Sequence, residues 1–134
     1  MKKLIIGLFV LLILFACADG NASSLQGQWT LVSYSSDARL TPAAPGVKTF
    51  IEFKDGQLNG NMGCNGFGGE YSISGDTITF GPIMSTMMFC EGPVGEQETA
   101  TLIVLQGSVK FTLDGNTLLI VSPDGTSSIA LERK

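Results

Sequence analysis

The residues of this chain best suited to chemistry are its three cysteines, Cys17, Cys64 and Cys90. Cys64 lies among glycines and asparagines in the stretch NMGCNGFGGEY, residues 61–71. Such a cysteine can be a nucleophile, a metal ligand, half of a disulfide or a small turn residue. The sequence contains no histidine, which excludes a Ser-His-Asp triad, a Cys-His pair and the usual zinc ligand sets. Cys64 and Cys90 also lack CxxC spacing, so the sequence predicts neither a metal nor another cofactor.

Phosphate binding and carboxylate catalysis leave weaker signals. The glycine-rich run around Cys64 is not followed by the lysine that a P-loop requires. Five glutamates could pair for acid–base catalysis, namely Glu52, Glu70, Glu91, Glu96 and Glu98. Their neighbours instead favour solvated turns and the first turn of a helix. We therefore predict no catalytic residue.

The N-terminus has the layout of an export signal. Lys2 and Lys3 precede an uncharged apolar run that is shorter than the ~20 residues a membrane-spanning helix needs. The run ends in Leu14-Phe15-Ala16-Cys17, which resembles a bacterial lipobox. This resemblance implies that residues 1–16 are a signal peptide, that Cys17 carries a lipid anchor, and that residues 17–24 form a flexible tether. The alternative is an ordinary signal peptide in which Cys17 is incidental.

The charge balance argues against anionic partners. The chain has 8 basic and 12 acidic residues, and removal of residues 1–16 takes away two lysines, which leaves a net charge of −6. An acidic domain without a basic run is a poor candidate for binding nucleic acid or an anionic membrane surface. The predicted contact with a membrane is therefore the lipid on Cys17, at the surface or the periplasmic side of the cell envelope.

The remaining residues, 25–134, predict a single small domain. Apolar residues alternate with period two from Gln28 onwards, which puts Trp29 and Leu31 on one strand face and Tyr34 on the other. The alternating segments are separated by the turn sequences Asp55-Gly56, Gly75-Asp76, Asp114-Gly115 and Asp124-Gly125. This rhythm predicts a mainly β fold, a small antiparallel barrel or meander of seven or eight strands. Residues 94–107 predict one α-helix, with Glu96 and Glu98 at its start and Gly107 as its C-cap.

The number of cysteines in the predicted domain favours a disulfide. An exported chain meets an oxidising compartment, and lipidation of Cys17 would leave two cysteines, Cys64 and Cys90. A bond between them would close a loop of ~26 residues and contribute ~3 kcal/mol in the loop-entropy model. The alternative is two free, buried cysteines that pack as small apolar residues.

Several motifs in this region resemble the META domain, the HslJ-like family of bacterial envelope proteins. They are Gly63-Cys64-Asn65, Gly69-x-Tyr71, Thr86-Met87-Met88-x-Cys90 and the opening Gly27-x-Trp29-x-Leu31. The resemblance spans about Leu25 to Leu131. It implies a compact antiparallel barrel with one helix, a secreted or lipid-anchored setting and no general enzymatic reaction, with links to stress or motility in some members. It also implies that Cys64 bonds Cys90 and that Asn65 belongs to a tight turn, although Asn65 could instead contact a ligand.

Three functions are open to such a domain. The first is a non-enzymatic, lipid-anchored envelope protein that binds or stabilises something at the membrane, with an envelope protein as one candidate partner and a role in stress. The second is a small-molecule carrier, but the aromatic residues predicted inside the barrel leave little room for a cavity. The third is a carboxylate-based enzyme. Met84, Met87 and Met88 are predicted to be core or strand-face residues, and the alternative is an adaptable methionine surface for a partner.

Overall fold

The computed structural model describes residues 24–134, so the predicted signal peptide and the lipidation site at Cys17 lie outside the described residues. The described part contains one helix, α1, and ten strands. The helix spans Gly92–Val104. The strands are β1 (Gly27–Ser36), β2 (Arg39–Pro42), β3 (Phe50–Lys54), β4 (Gln57–Asn61), β5 (Gly66–Ser74), β6 (Thr77–Phe80), β7 (Met84–Ser85), β8 (Gly107–Asp114), β9 (Thr117–Val121) and β10 (Ser128–Arg133). No helix in the described residues is long and apolar enough to cross a membrane.

Eight of the strands close into an antiparallel barrel. The order around the ring is β1-β3-β4-β5-β6-β8-β9-β10, and β10 pairs with β1 to complete it. The two short strands lie outside the ring, because β2 pairs with β1 and β7 pairs with β5. The prediction of a mainly β fold, a small antiparallel barrel with one helix, is confirmed.

The seam between β1 and β10 joins the two ends of the domain. The Arg133 guanidinium stacks over the Trp29 ring at 4.3 Å from its centroid. The same group donates hydrogen bonds to the carbonyl of Gln26, at 2.8 Å, and to the carbonyl of Ser24. The last strand therefore fixes the backbone that leads into the first.

The hairpin connections lie where the turn sequences predict them. At Asp55-Gly56, which joins β3 to β4, the backbone φ angles are 50° and 78°. Positive φ at both central residues is the requirement of a two-residue type I′ turn, and it explains the Asp-Gly sequence. The turns at Gly75-Asp76 and Asp124-Gly125 likewise lie between paired strands. At the third sequence, Asp114 is the last residue of β8, and Gly115 and Asn116 connect it to β9.

Side chains fill the barrel interior. Its core includes the fully buried residues Trp29, Ile51, Phe53, Leu58, Ile78, Leu118, Ile120, Ile129 and Leu131. Tyr71 packs edge-on against Phe53, with ring centroids 5.0 Å apart. A filled interior of this kind is the arrangement expected of a small eight-stranded barrel, and it leaves the carrier hypothesis without support from the core.

Strand β1 departs from strict alternation. Its pairing with β10 shifts register between Leu31 and Ser33. The extra residue leaves Val32 exposed and turns Tyr34 to a buried position, although Tyr34 is in phase with Val32 by sequence. The bulge places Tyr34 beneath the helix.

Helix α1 differs from its predicted bounds. It begins at Gly92, with a proline in its first turn, and ends at Val104 with Leu105 as the C-cap. The predicted cap, Gly107, has a φ of 62° and instead begins β8. Because the helix starts early, Glu96 and Glu98 lie beyond the first turn, so they do not serve the positive end of the helix as predicted.

Candidate functional site

A disulfide joins Cys64 to Cys90 at one end of the barrel, which confirms the prediction that the domain contains one. The Cα atoms are 6.2 Å apart, and the residues are separated by 26 positions in sequence. Cys64 lies in the loop between β4 and β5, and Cys90 lies just before α1. The bond therefore ties the loop that enters the helix to the start of β5.

The loop that carries Cys64 is shaped by its asparagine and glycine. The Asn61 side-chain oxygen accepts a hydrogen bond from the Gly63 backbone N–H at 2.6 Å. Gly63 has a φ of 108°, and a Cβ atom there would overlap a methyl group of Val47. Only glycine satisfies both conditions, which explains the Asn-x-Gly-Cys sequence.

Asn65 is the centre of a buried hydrogen-bond network and has only 5% of its surface exposed. Its side-chain N–H groups donate to Glu98 Oε1 at 2.7 Å and to the Met88 carbonyl at 3.0 Å. Its side-chain oxygen accepts from the Thr86 hydroxyl at 2.7 Å and from the Met88 backbone N–H at 2.8 Å. All four hydrogen-bonding capacities of the amide are used. Asn65 therefore holds the loop of residues 86–90 against the barrel.

Glu98 is buried, with 6% of its surface exposed, which corrects the expectation of a solvated residue. One carboxylate oxygen accepts the Asn65 backbone N–H at 2.7 Å, and the other accepts the Asn65 side-chain amide. No described basic side chain forms an ion pair with it, so amide N–H groups supply its compensation. The carboxylate is thus a structural acceptor for Asn65.

The sulfur atoms of Cys64 and Cys90 and a carboxylate oxygen of Glu98 all lie within 4.8 Å of one another. Their spacing would suit a small metal ion if the sulfurs were thiolates. Both sulfurs are instead bonded to each other, and a disulfide offers no thiolate ligand. These three residues therefore do not fit a metal site; they form a structural disulfide with a buried carboxylate beside it.

Gln97 fixes the helix to two further loops. It is fully buried, and its side-chain N–H donates to the Met62 carbonyl at 2.6 Å. Its side-chain oxygen accepts the Ala44 backbone N–H at 2.8 Å. Gln97 and Glu98 thus place two buried polar side chains in α1, and both form hydrogen bonds with backbone groups of the loops at one end of the barrel.

The segment of residues 84–89 exposes four large apolar side chains. Met84 lies on strand β7, as predicted for a strand-face residue, but Met87 and Met88 are neither in the core nor on a strand. The exposed fractions are 76% for Met84, 97% for Met87, 61% for Met88 and 87% for Phe89. The backbone of Met88 faces inwards because Asn65 bonds both its N–H and its carbonyl. With the backbone turned towards the barrel, the side chains point to solvent. We call residues 84–89 the methionine loop.

A cleft of about 840 Å³ lies between the β1–β2 hairpin and α1, a size typical of ligand sites. Its lining includes charged residues, apolar residues and one phenol: Asp37, Arg39, Glu91 and Glu96, then Phe89, Ala100 and Ile103, and Tyr34. The cleft and the methionine loop share Phe89, so they form one continuous surface.

Tyr34 is an unusual component of this cleft. The residue is 4% exposed, and its hydroxyl oxygen has no hydrogen-bond partner of good geometry among the residues that the structure describes. Burial raises the pKa of the phenol, and the negative charge of Glu96 acts in the same direction. Thr41 and Glu96 lie close enough to the hydroxyl to affect the pKa of the phenol.

The fold and the disulfide network can be compared with known proteins. A family model described as the META domain matches residues 23–134. The chain belongs to the META domain family. A comparison with curated proteins finds no match.

Solved structures similar to this META domain come from several proteins. An NMR structure of a protein from Burkholderia xenovorans is 20% identical, with 84% of this chain and 86% of that chain covered and a TM-score of 0.68. A second NMR structure is 19% identical, with coverage of 84% and 93% and a TM-score of 0.65. A crystal structure of a DUF4847 family protein from Bacteroides vulgatus is 16% identical, with coverage of 82% and 94% and a TM-score of 0.56. At these identities the likeness shows the fold alone.

The motifs that suggested the META domain meet in one network. Gly63-Cys64-Asn65 and Thr86-Met87-Met88-x-Cys90 are brought together by the disulfide and by the Asn65 side chain. The turn that contains Asn65 is short, because β4 ends at Asn61 and β5 begins at Gly66. Residues 86–90 are irregular.

Sequence reasoning missed Gln97, Glu98 and Tyr34 as components of this META domain's sites. The helix carried a signal for Gln97, because Thr101 and Val104 follow it by four and seven positions and lie on the same buried face. A polar residue in phase with a buried stripe is expected to be hydrogen-bonded. Tyr34 had no such signal, since the bulge that buries it is not encoded in the alternation.

Proposed function

We propose that this META domain is a non-enzymatic binding module of the bacterial cell envelope, attached to a membrane through a lipid on Cys17. The observation that carries the binding function is the methionine loop. Four large apolar side chains are exposed there, on a backbone held by the Cys64–Cys90 bond and by Asn65. Monomeric soluble domains rarely expose so many large apolar side chains on one ordered loop, and such patches commonly mark interaction sites. Methionine side chains suit this task because they adapt to a partner's shape.

Site-specific crosslinking tests the binding function. A photoreactive amino acid replaces Met87 in the native cell envelope, and a second variant carries it at Leu119, an exposed apolar residue on β9. We expect a discrete crosslinked protein from the Met87 position and none from Leu119. Equal crosslinking at both positions, or none at either, would contradict the proposed binding surface.

The anchor is proposed from the sequence. A lipidated cysteine with several acyl chains binds a membrane stably, whereas a single chain binds only marginally. Cys17→Ser should abolish incorporation of a labelled fatty acid, and Ala18→Ser, which keeps the cysteine, should not. Normal labelling of Cys17→Ser would refute the anchor.

We further propose that the domain has no hydrolase or transferase activity of its own. The chain lacks histidine, and Asn65 and Glu98 are fully engaged with each other and the methionine loop. Purified protein should not turn over model esters, peptides or phosphate esters. Turnover that disappears with a single carboxylate substitution, such as Glu91→Gln, would overturn this proposal.

A further inference from the structure

The charged residues of the cleft form no ion pair with one another or with any other described residue. Asp37, Arg39, Glu91 and Glu96 line it, and all four are exposed. Within the described part of the chain, the ion pair that forms is between Lys110 and Asp76, on other strands. The cleft thus carries three carboxylates and one guanidinium, an excess of negative charge that favours a cationic group.

The floor of the same cleft contains the unpartnered Tyr34 hydroxyl. Its residue is 96% buried by the side chains around it, and the phenol can both donate and accept a hydrogen bond. Glu96, which is exposed, borders this hydroxyl. Because the hydroxyl is buried, a ligand can bond it only after a neighbouring side chain moves.

An apolar wall accompanies these polar groups. Ala100 and Ile103 of α1 line the cleft, and Ile103 is 45% exposed. Phe89 lines the opening and continues into the methionine loop, where Met87 and Met88 are also exposed. A small free amine would fill the charged part and leave this wall in water. A polypeptide with apolar residues beside its basic residue would cover both.

We propose that the cleft binds a basic segment of a partner polypeptide, in which a lysine or arginine is flanked by apolar residues. The cationic head group lies between Glu91 and Glu96, and its aliphatic stem follows Ala100 and Ile103. A flanking apolar side chain packs on Phe89, and a backbone group of the segment hydrogen-bonds the Tyr34 hydroxyl. The inference rests on the proposed binding function, to which it adds the chemistry of the partner.

The test is an NMR titration of the isotope-labelled full chain in detergent micelles at low salt. The probe is the blocked peptide N-acetyl-Leu-Lys-Leu-amide. The controls are the same peptide with norleucine or glutamate in place of lysine, and n-butylamine. We expect the lysine peptide to shift the backbone amide signals of Tyr34, Glu96 and Ile103, with an affinity that falls as salt rises. The three controls should shift these signals less.

Variants assign the contacts. Glu96→Gln should weaken binding of the lysine peptide about two- to five-fold, the range for an exposed charge pair. Glu70→Gln, the same change on β5 and outside the cleft, should leave it unchanged. Tyr34→Phe keeps the ring and should weaken binding without lowering the melting temperature.

Three results would overturn the proposal: no shift with the lysine peptide, shifts of equal size with the norleucine peptide, or equal binding of n-butylamine. Crosslinking at Met87 separates this failure from failure of the proposed function. If the cleft does not bind the lysine peptide while Met87 still crosslinks one envelope protein, the proposal of a basic ligand segment is refuted and the proposed binding surface is retained.

Discussion

Replacement of Asn65 by alanine should be among the most destabilising single substitutions in this domain. The change removes the side-chain donor to Glu98 Oε1, at 2.7 Å, and both bonds to the Met88 backbone. Loss of a hydrogen bond to a buried charged group costs ~1.5–3 kcal/mol. The Thr86 hydroxyl and the Met88 backbone lie in an exposed loop and can rehydrate, so these three hydrogen bonds add about 1.5–2 kcal/mol together. The expected loss is about 3–5 kcal/mol, out of a total of ~5–15 kcal/mol for a typical domain.

Urea unfolding monitored by circular dichroism measures this loss. The control is Asn59→Ala, the same change on β4 at an exposed residue. At about 4 °C per kcal/mol for a domain of this size, the melting temperature of Asn65→Ala should fall by roughly 12–20 °C. A difference of less than ~1 kcal/mol between the two variants would refute the reasoning, since a network worth so little would not fix the loop.

The isosteric change Asn65→Asp separates charge from packing. It keeps the acceptors for Thr86 and Met88 but sets a second carboxylate against Glu98. Two adjacent carboxylates hold one proton more tightly in the folded chain than in the unfolded chain, so the folded state of the variant gains stability as pH falls. The penalty relative to the parent should be smaller at pH 4 than at pH 7. An equal penalty at both pH values would contradict the assigned contact.

Three further predictions follow from the described contacts. Cys64→Ala should cost ~2–4 kcal/mol, and reducing agent should lower the melting temperature of the parent but not of the variant; an unchanged parent would contradict a stabilising bond. Gly95→Ala should destabilise the domain, because a Cβ atom at Gly95 would overlap the Cys90 carbonyl oxygen. Without this overlap, alanine in a helix would be more stable than glycine by up to ~1 kcal/mol. Gly66→Ala is the control, because a Cβ atom there would meet no other atom within 4 Å, and a stabilised Gly95→Ala would show that the loop moves to accommodate the methyl group. Hydrogen bonds from Ser122 and Thr126 lower the pKa of Asp124 in the folded chain, so its contribution to stability is present above the pKa of the unfolded chain and disappears as pH falls through the pKa of the folded chain. Between pH 6 and pH 2.5, the melting temperature of Asp124→Asn should therefore fall less than that of the parent. Equal falls in melting temperature would refute this contribution of Asp124.

Local chemistry explains which parts of the fold could be predicted. The hairpins follow from Asp-Gly and Gly-Asp pairs, whose conformations are set within two residues, as at Asp55-Gly56. The disulfide followed from the family motif and an even count of cysteines. These features depend on short stretches or on composition, and they hold in the structure.

The site residues that were missed depend on long-range contacts. Glu98 reads as a solvated helix residue, but Asn65, 33 positions earlier, supplies the donors that permit its burial. Met88 was expected in the core or on a strand face because it is apolar, yet hydrogen bonds from Asn65 hold its backbone inwards and its side chain is exposed. Tyr34 changes face because of a register shift against β10. The alternation of apolar residues and the secondary-structure propensities of single residues do not report contacts between residues far apart in sequence.

The seam between β1 and β10 also determines when the domain can fold. The bond from Arg133 to Gln26 spans 107 positions of sequence, and the last six-residue strand closes the ring. The barrel therefore cannot close before β10 has been synthesised. Contacts between segments far apart in sequence are slow to form, since they require closure of a long loop. Closure of the ring is thus expected to be a late step in the folding of this domain.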